Sequence, residues 1–145
     1  MTAEFIVAVH AIEFLNHKKT YLSSEEIAEN VCTNPARVRK ILTKLEKAGL
    51  VEAKSGHTGG YAFTGDPDKT NLLDIFNAVG KTLVKIKWRS GDVDKECQIA
   101  SGMSQVMDEV FETIDSSGRE VLRKITVRDI DKKLFYGKDL KKDEI

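Results

Sequence analysis

Residues 35–49, Pro-Ala-Arg-Val-Arg-Lys-Ile-Leu-Thr-Lys-Leu-Glu-Lys-Ala-Gly, carry two stripes on one helical period. Val38, Ile41, Leu42 and Leu45 fall at i, i+3, i+4 and i+7, whereas Arg37, Lys40, Lys44 and Lys47 fall at i, i+3, i+7 and i+10. At about 100° per residue the stripes are centred well over a right angle apart. The segment therefore predicts a helix with one side in a core and a cationic side in water. Pro35 suits the first helical position, where its missing N–H leaves no hydrogen bond unmade. Gly49 suits the position just past the end, where the chain turns left-handed.

The flanks narrow the choice of fold. Upstream, residues 3–16 repeat Phe5, Ile6, Val9, Ile12 and Leu15 at helical spacing. A short helix over 24–31 opens at Ser23-Ser24-Glu25-Glu26, where Ser23 and Glu26 have capping-box spacing. Ile27, Ala28, Val31 and Cys32 give it an apolar stripe, and Thr33-Asn34-Pro35 is a turn. Downstream, 50–54 and 61–63 read as two strands around the turn-rich Ser55-Gly56-His57-Thr58-Gly59-Gly60. Helix, short helix, turn, basic helix and Gly-tipped hairpin is the order of a winged helix-turn-helix, whose second helix enters the DNA major groove. The fold class expected is mainly α with a small β-hairpin wing, a winged helix-turn-helix plus a long C-terminal dimerisation helix.

Charge agrees. The chain of 145 residues has 23 basic and 23 acidic side chains, so it is neither a basic tail nor an acidic one. The neutrality is uneven. Residues 1–30 hold two lysines against five glutamates, and residues 31–65 hold six cations (Arg37, Arg39, Lys40, Lys44, Lys47, Lys54) against Glu46 and Glu52. A local basic window is the footprint of a phosphate-binding face.

The rest of the chain reads as a helix over 71–80, an irregular stretch over 81–96 and a long helix over 101–124. Met103, Met107, Val110, Ile114, Val121 and Ile125 are spaced as a heptad stripe, with Ser116-Ser117-Gly118 expected to loosen its middle. A lone amphipathic helix of this length needs a partner for its face, so a homodimer is expected. A short helix capped by Thr126 follows, then a charged tail over 136–145. The domain division expected is 1–80 for DNA binding, 81–100 as connector, and 101–135 for dimerisation with the last helix.

Several functions are disfavoured. Gly56 to Gly60 lacks the Lys-Ser/Thr of a phosphate-cradling loop, and no nucleophile motif occurs, so no enzyme is expected. His10, Glu13 and His17 share a helix face without a further ligand nearby, and read as structural or solvated rather than as a metal site. Trp88 among Lys85, Lys87 and Arg89 reads as closing a core or a dimer seam. No apolar run approaches the roughly 20 residues of a membrane helix, and the N-terminus lacks signal-peptide features, so a cytoplasmic protein without membrane contact is expected. Cys32 and Cys97 are too few for a disulfide scaffold or a four-thiolate site, and no cofactor is expected. Cys32 ends the second helix beside the recognition turn, and Cys97 precedes the long helix. A bond between them, preferably across two subunits, would act as a redox switch. Packing of Cys32 in the core is the competing reading.

The chain resembles the Rrf-two (Rrf2) family of bacterial transcription regulators, the family of the iron–sulfur cluster regulator and the cysteine-metabolism repressor. The residues that carry the resemblance are Ser24-Glu25-Glu26-Ile27-Ala28, Val38, Ile41-Leu42-Thr43-Lys44-Leu45 and Ala48-Gly49-Leu50-Val51. Gly56 and Gly59-Gly60-Tyr61 in the wing, then Leu72-Leu73-Asp74-Ile75 and Ala78-Val79-Gly80, complete it. The resemblance spans about residues 1–130. It implies a homodimer on a pseudo-palindromic operator, with Ala36, Arg39 and Lys40 at base-reading positions and Arg37, Lys44 and Lys47 toward phosphates. Lys54, His57 and Thr58 fall on the wing side of that face. The sequence departs from the family in having Cys97 where cluster-binding members have three clustered cysteines, Ala3-Glu4-Phe5-Ile6 where many have a basic segment, and Ser55 where many have Arg. A repressor is the expected role. A winged-helix protein-interaction module without DNA binding, or a regulator gated by a small effector without thiol switching, is the alternative.

Overall fold

The computed structural model describes residues 2–136. Six helices and one two-stranded antiparallel sheet follow in chain order: α1 Ala3–Lys18, α2 Ser24–Val31, α3 Pro35–Lys47, β1 Val51–Lys54, β2 Gly60–Phe63, α4 Leu72–Val79, α5 Gln98–Arg123 and α6 Val127–Phe135. The order is that of the expected winged helix-turn-helix with a long C-terminal helix.

The local chemistry that opens and closes these elements is visible atom by atom. At α2 the Ser23 hydroxyl accepts from the Glu26 N–H at 3.1 Å while the Glu26 carboxylate accepts from the Ser23 N–H at 2.8 Å. Asn34 caps α3 by accepting from the Arg37 N–H at 2.8 Å, with Pro35 in the first turn. Gly49, just beyond α3, has φ 76. The same reciprocal cap recurs at α4 through Asn71 and Asp74 and at α6 through Thr126 and Asp129.

The core gathers around α1 and α3. Ala8, Ala11 and Ile12 of α1 and Val38, Ile41, Leu42 and Leu45 of α3 are completely buried. Ile27, Ile75 and Phe76 join them from α2 and α4, with the Phe5 and Phe76 rings edge-on at 5.7 Å. α1 is buried on several faces at once, because α2, α3, α4, α6 and β2 all pack on it. Ile6 departs from the expected stripe and is 67% exposed.

The wing is tied to this core by backbone. β1 and β2 pair with Val51 opposite Phe63 and Lys54 opposite Gly60. Tyr61 then exchanges two backbone hydrogen bonds with Leu22, at 2.8 and 2.9 Å, which adds the approach to α2 as a third strand position. Gly60 makes this possible. Its φ is 130, and a Cβ there would run into the Leu22 carbonyl.

The long helix is continuous through Ser116-Ser117-Gly118, contrary to expectation, and starts at Gln98. Gly118 does not loosen it. The missing side chain makes room for Leu83, whose Cδ1 would lie 2.8 Å from a Cβ there. Asp115 accepts from the Leu83 and Val84 N–H groups, and Arg119 binds Asp115, Asn77 and the Lys81 carbonyl. α5 is thus fastened to the connector and α4 near its C-terminal end. α6 folds back onto α1, held by the Val127 N–H to Thr70 and by Arg128 to Asp68. Of the expected tail, residues 137–145 lie outside the described residues.

Replacing Gly60 by Ala should destabilise the protein by about 1–3 kcal/mol, the range for a side chain forced into a glycine-only backbone region. Urea denaturation with an unchanged m-value checks this; an unaltered midpoint would mean that the wing does not need its link to Leu22.

Candidate nucleic-acid interface

The recognition turn is built from capped helix ends. α2 stops at Cys32, whose left-handed φ of 66 turns the chain outward, and Asn34 starts α3 two residues later. Cys32 therefore leaves the apolar stripe of α2. It is exposed, against the expectation that it continues the face of Ala28 and Val31. A left-handed C-cap residue no longer obeys the helical period.

With the apolar stripe of α3 locked inward, Ala36, Arg37, Arg39 and Lys40 are exposed and Lys44 is half-exposed. The wing presents Lys54, His57 and Thr58, all exposed. Lys54 lies over the Tyr21 ring, 5.5 Å from its centre, and the Tyr21 hydroxyl donates to Glu52 at 3.0 Å.

The cations of α3 are not equivalent. Arg39 reaches back to α2, where Nη1 donates to Ser24 at 3.2 Å and meets Glu25 at 3.4 Å. Lys44 pairs with Glu4 of α1 at 2.9 Å. Among the described residues Arg37, Lys40 and Lys47 make no salt bridge. The Glu4 carboxyl is held below its usual range, first by the hydrogen bond from Lys44, with burial opposing it and the charges of Lys44, Lys40 and Arg37 adding to the fall. An acid thus sits inside the basic face. Glu4 stands where many family members have a basic residue, and its pairing with Lys44 is invisible in the sequence because nothing local connects positions 40 residues apart.

The remaining chemistry-bearing residues are placed elsewhere. Cys97 is exposed and sits at the N-cap of α5. The backbone N–H groups of Ala100 and Ile99 lower its thiol from the ordinary value, outweighing slight desolvation. His10 bonds to Asn30 at 2.8 Å, and His17 stacks on Phe135 with ring centres 4.3 Å apart. Glu13, between them in sequence, is buried. Trp88 is 75% exposed and closes no core within the chain.

The family model named Rrf2, Iron-dependent Transcriptional regulator, matches residues 1–133. The chain belongs to this family. It is accordingly a DNA-binding transcriptional regulator and not an enzyme. YwnA of Bacillus subtilis (strain 168), named an HTH-type transcriptional regulator, is 28% identical over 136 residues, covering 93% of this chain and 99% of that protein. A crystal structure described as a transcriptional regulator from Lactobacillus plantarum has 28% identity and a TM-score of 0.81, over 99% of this chain and 98% of that one. IscR of T. potens shares the fold with a TM-score of 0.71 at 23% identity, over 94% of this chain and 89% of that one.

The family's description names iron, and this chain's donors do not fit an iron centre. It has two cysteines, one at the end of α2 and one at the start of α5. No group of three or more His, Cys, Asp or Glu among the described residues could hold a metal ion. Among those residues no helix is long and apolar enough to cross a membrane.

Glu4→Gln should release Lys44 and remove a charge that repels phosphate. Binding to a scrambled DNA duplex should tighten about two- to fivefold at low salt, as for the loss of one exposed pair, with the gain shrinking as salt rises. Fluorescence anisotropy across a salt series checks it. Unchanged affinity at low salt would place Lys44 out of reach of the backbone.

Proposed function

We propose that this chain is a homodimeric, cytoplasmic repressor that reads a pseudo-palindromic DNA operator with α3 and gates that binding by thiol oxidation. The observation that carries the DNA reading is the exposed basic side of α3 beside the wing, on a helix whose other side is fully buried. In this reading Ala36, Arg39 and Lys40 face base edges. Ser24 and Glu25 fix the Arg39 guanidinium through Nη1, so that its other edge can engage guanine O6 and N7. Arg37, Lys44, Lys47 and Lys54 meet phosphates, with His57 and Thr58 at the wing tip.

The dimer reading rests on α5. Its 26 residues extend about 39 Å, and Leu122 alone among them is buried. Ile99, Met103, Val106, Met107, Val110, Ile114 and Val121 leave apolar surface in water. Such a stripe supports pairing with a second copy. Ile125, expected within it, instead packs against the core. The domain division proposed keeps residues 1–80 for DNA and 101–135 for assembly.

Arg39→Ala should relax base preference and cost about 1–3 kcal/mol at the specific site, whereas Lys47→Ala should weaken all sequences alike and flatten the salt dependence. Footprinting on the chain's own promoter region, with quantitative binding of both variants, tests this. Unchanged operator affinity in both would refute the assigned face. In the same series wild type should sediment as a dimer at micromolar concentration and Ile114→Asp as a monomer that no longer binds the operator.

Both thiols are exposed, and that supports the redox reading. A Cys32 thiol of one subunit and a Cys97 thiolate of the other would give up two electrons to hypochlorous acid. The products are one disulfide, chloride and water. A covalent dimer should form on non-reducing gels and vanish in both Cys32→Ser and Cys97→Ser, with operator affinity altered only in wild type. Unchanged DNA binding after complete thiol oxidation would sink the switch.

A further inference from the structure

The wing carries an acid and a base on one side. Alternate residues of a strand share a face, so Glu52 and Lys54 of β1 project the same way, about 7 Å apart along the chain. Two long side chains at that spacing can meet, and a pair would cancel both charges. Among the described residues neither Glu52 nor Lys54 makes a salt bridge. Both are taken up instead by Tyr21, in the segment that joins α1 to α2. Its hydroxyl donates to Glu52 Oε2 at 3.0 Å, and the Lys54 ammonium lies 5.5 Å from its ring centre.

The register explains how Tyr21 reaches them across an intervening strand. Ala62 stands opposite Glu52, and Gly60 stands opposite Lys54. Opposed residues of an antiparallel pair share a face, so this side of β2 carries only a methyl group and a hydrogen. The bridge between Leu22 and Tyr61 belongs to the other side. Tyr21, next to Leu22, is thereby set in line with Ala62 and Glu52. Strands lie about 4.8 Å apart, so the ends of that row are roughly 10 Å apart. A tyrosine and a glutamate bridge such a span only over a small residue. Burial alternates accordingly: Leu22 and Val51 are buried, whereas Tyr21 is half-buried and Glu52 and Lys54 are exposed.

The two contacts differ in kind. The Tyr21 phenol is raised above its ordinary value, first by the hydrogen bond to Glu52, then by burial and by the Glu52 charge, so the hydroxyl keeps its proton and remains the donor. The ring face attracts the ammonium through its quadrupole and leaves the positive charge uncancelled. A carboxylate in the same place would cancel it.

We propose that Tyr21 is a positioning residue of the DNA interface, which engages Glu52 through its hydroxyl and seats Lys54 on its ring, so that the acid is held off the cation and the ammonium stays available to a DNA phosphate. This rests on the reading of Lys54 as a phosphate contact.

The experiment measures binding of the full chain to a scrambled DNA duplex by fluorescence anisotropy across a salt series, with urea denaturation of every variant to establish that it folds. Lys54→Ala should weaken binding about two- to fivefold at low salt and lower the slope of log affinity against log salt by about one. Tyr21→Leu should cause a similar loss, because Glu52 then pairs with Lys54. Tyr21→Phe keeps the seat but frees the acid, and should fall between Tyr21→Leu and wild type. In a Lys54→Ala background Tyr21→Leu should cost nothing further, and in a Glu52→Gln background Tyr21→Phe should cost nothing. A general loosening of the wing would persist in both backgrounds. If Tyr21→Leu does not fold, Tyr21→Phe and its rescue by Glu52→Gln decide the matter. Undiminished binding by Lys54→Ala would overturn the phosphate reading, and the proposal with it. A loss in Lys54→Ala without one in the folded Tyr21 variants, or a Tyr21 loss that persists in those backgrounds, would overturn the role of Tyr21 alone.

Discussion

The seam between α1 and α3 is the constraint on which the other parts depend. Ala8, Ala11 and Ile12 of α1 share one core with Val38, Ile41, Leu42 and Leu45 of α3, and none of the seven keeps surface in water. Burying four branched side chains of one helix face favours the fold by several kcal/mol, each contributing roughly 1.5–3 kcal/mol before chain ordering is subtracted. The seam also fixes rotation. Once that stripe is inside, Ala36, Arg37, Arg39 and Lys40 have no direction but outward. The cationic side of α3 is therefore oriented by apolar packing rather than by charge.

Charge then grades the exposed face. Glu25 and Ser24 hold Arg39, Glu4 holds Lys44, and Arg37, Lys40 and Lys47 are left to solvent. An exposed pair contributes less than about 1 kcal/mol, so these contacts orient side chains without locking them. A phosphate arriving at Lys44 competes with a carboxylate, whereas one arriving at Lys47 competes with water. The basic window of a neutral chain is thus graded by the acids folded against it, and overall charge is silent about that.

α5 is built as a lever. Asp115, Gly118 and Arg119 fasten its C-terminal half to the connector and α4, and the apolar stripe nearer its start stays exposed among the described residues. Cys97 sits where the lever begins, at the N-cap of α5, and the backbone N–H groups of Ala100 and Ile99 lower its thiol from the ordinary value. Nearby Asp92, Asp94 and Glu96 would act the other way, yet the direction of the shift follows the helix end. The nearby N–H groups of the helix end outweigh carboxylates screened by solvent.

What the sequence determined by itself is everything carried by short-range chemistry. The Ser23–Glu26 box, Asn34-Pro35, Gly49, the Gly-tipped hairpin and the Thr126 cap each set an element boundary from within four residues, and the two stripes of 35–47 set which side of α3 faces out. These sufficed for the winged helix-turn-helix and its family. Tertiary structure decided the rest, because it concerns pairs distant along the chain. Gly118 reads locally as a weak point and is instead the seat of Leu83. Cys32 continues an apolar period on paper, but its left-handed backbone turns it to water. Glu13 looks like one polar residue of a solvated face, yet α6 folds over α1 and buries it beside Asp131. Lys44 and Arg39 share a helix, but which acid each meets depends on how α1 and α2 cross it. Periodicity specifies the direction of a side chain from its own helix, and only packing specifies what waits there.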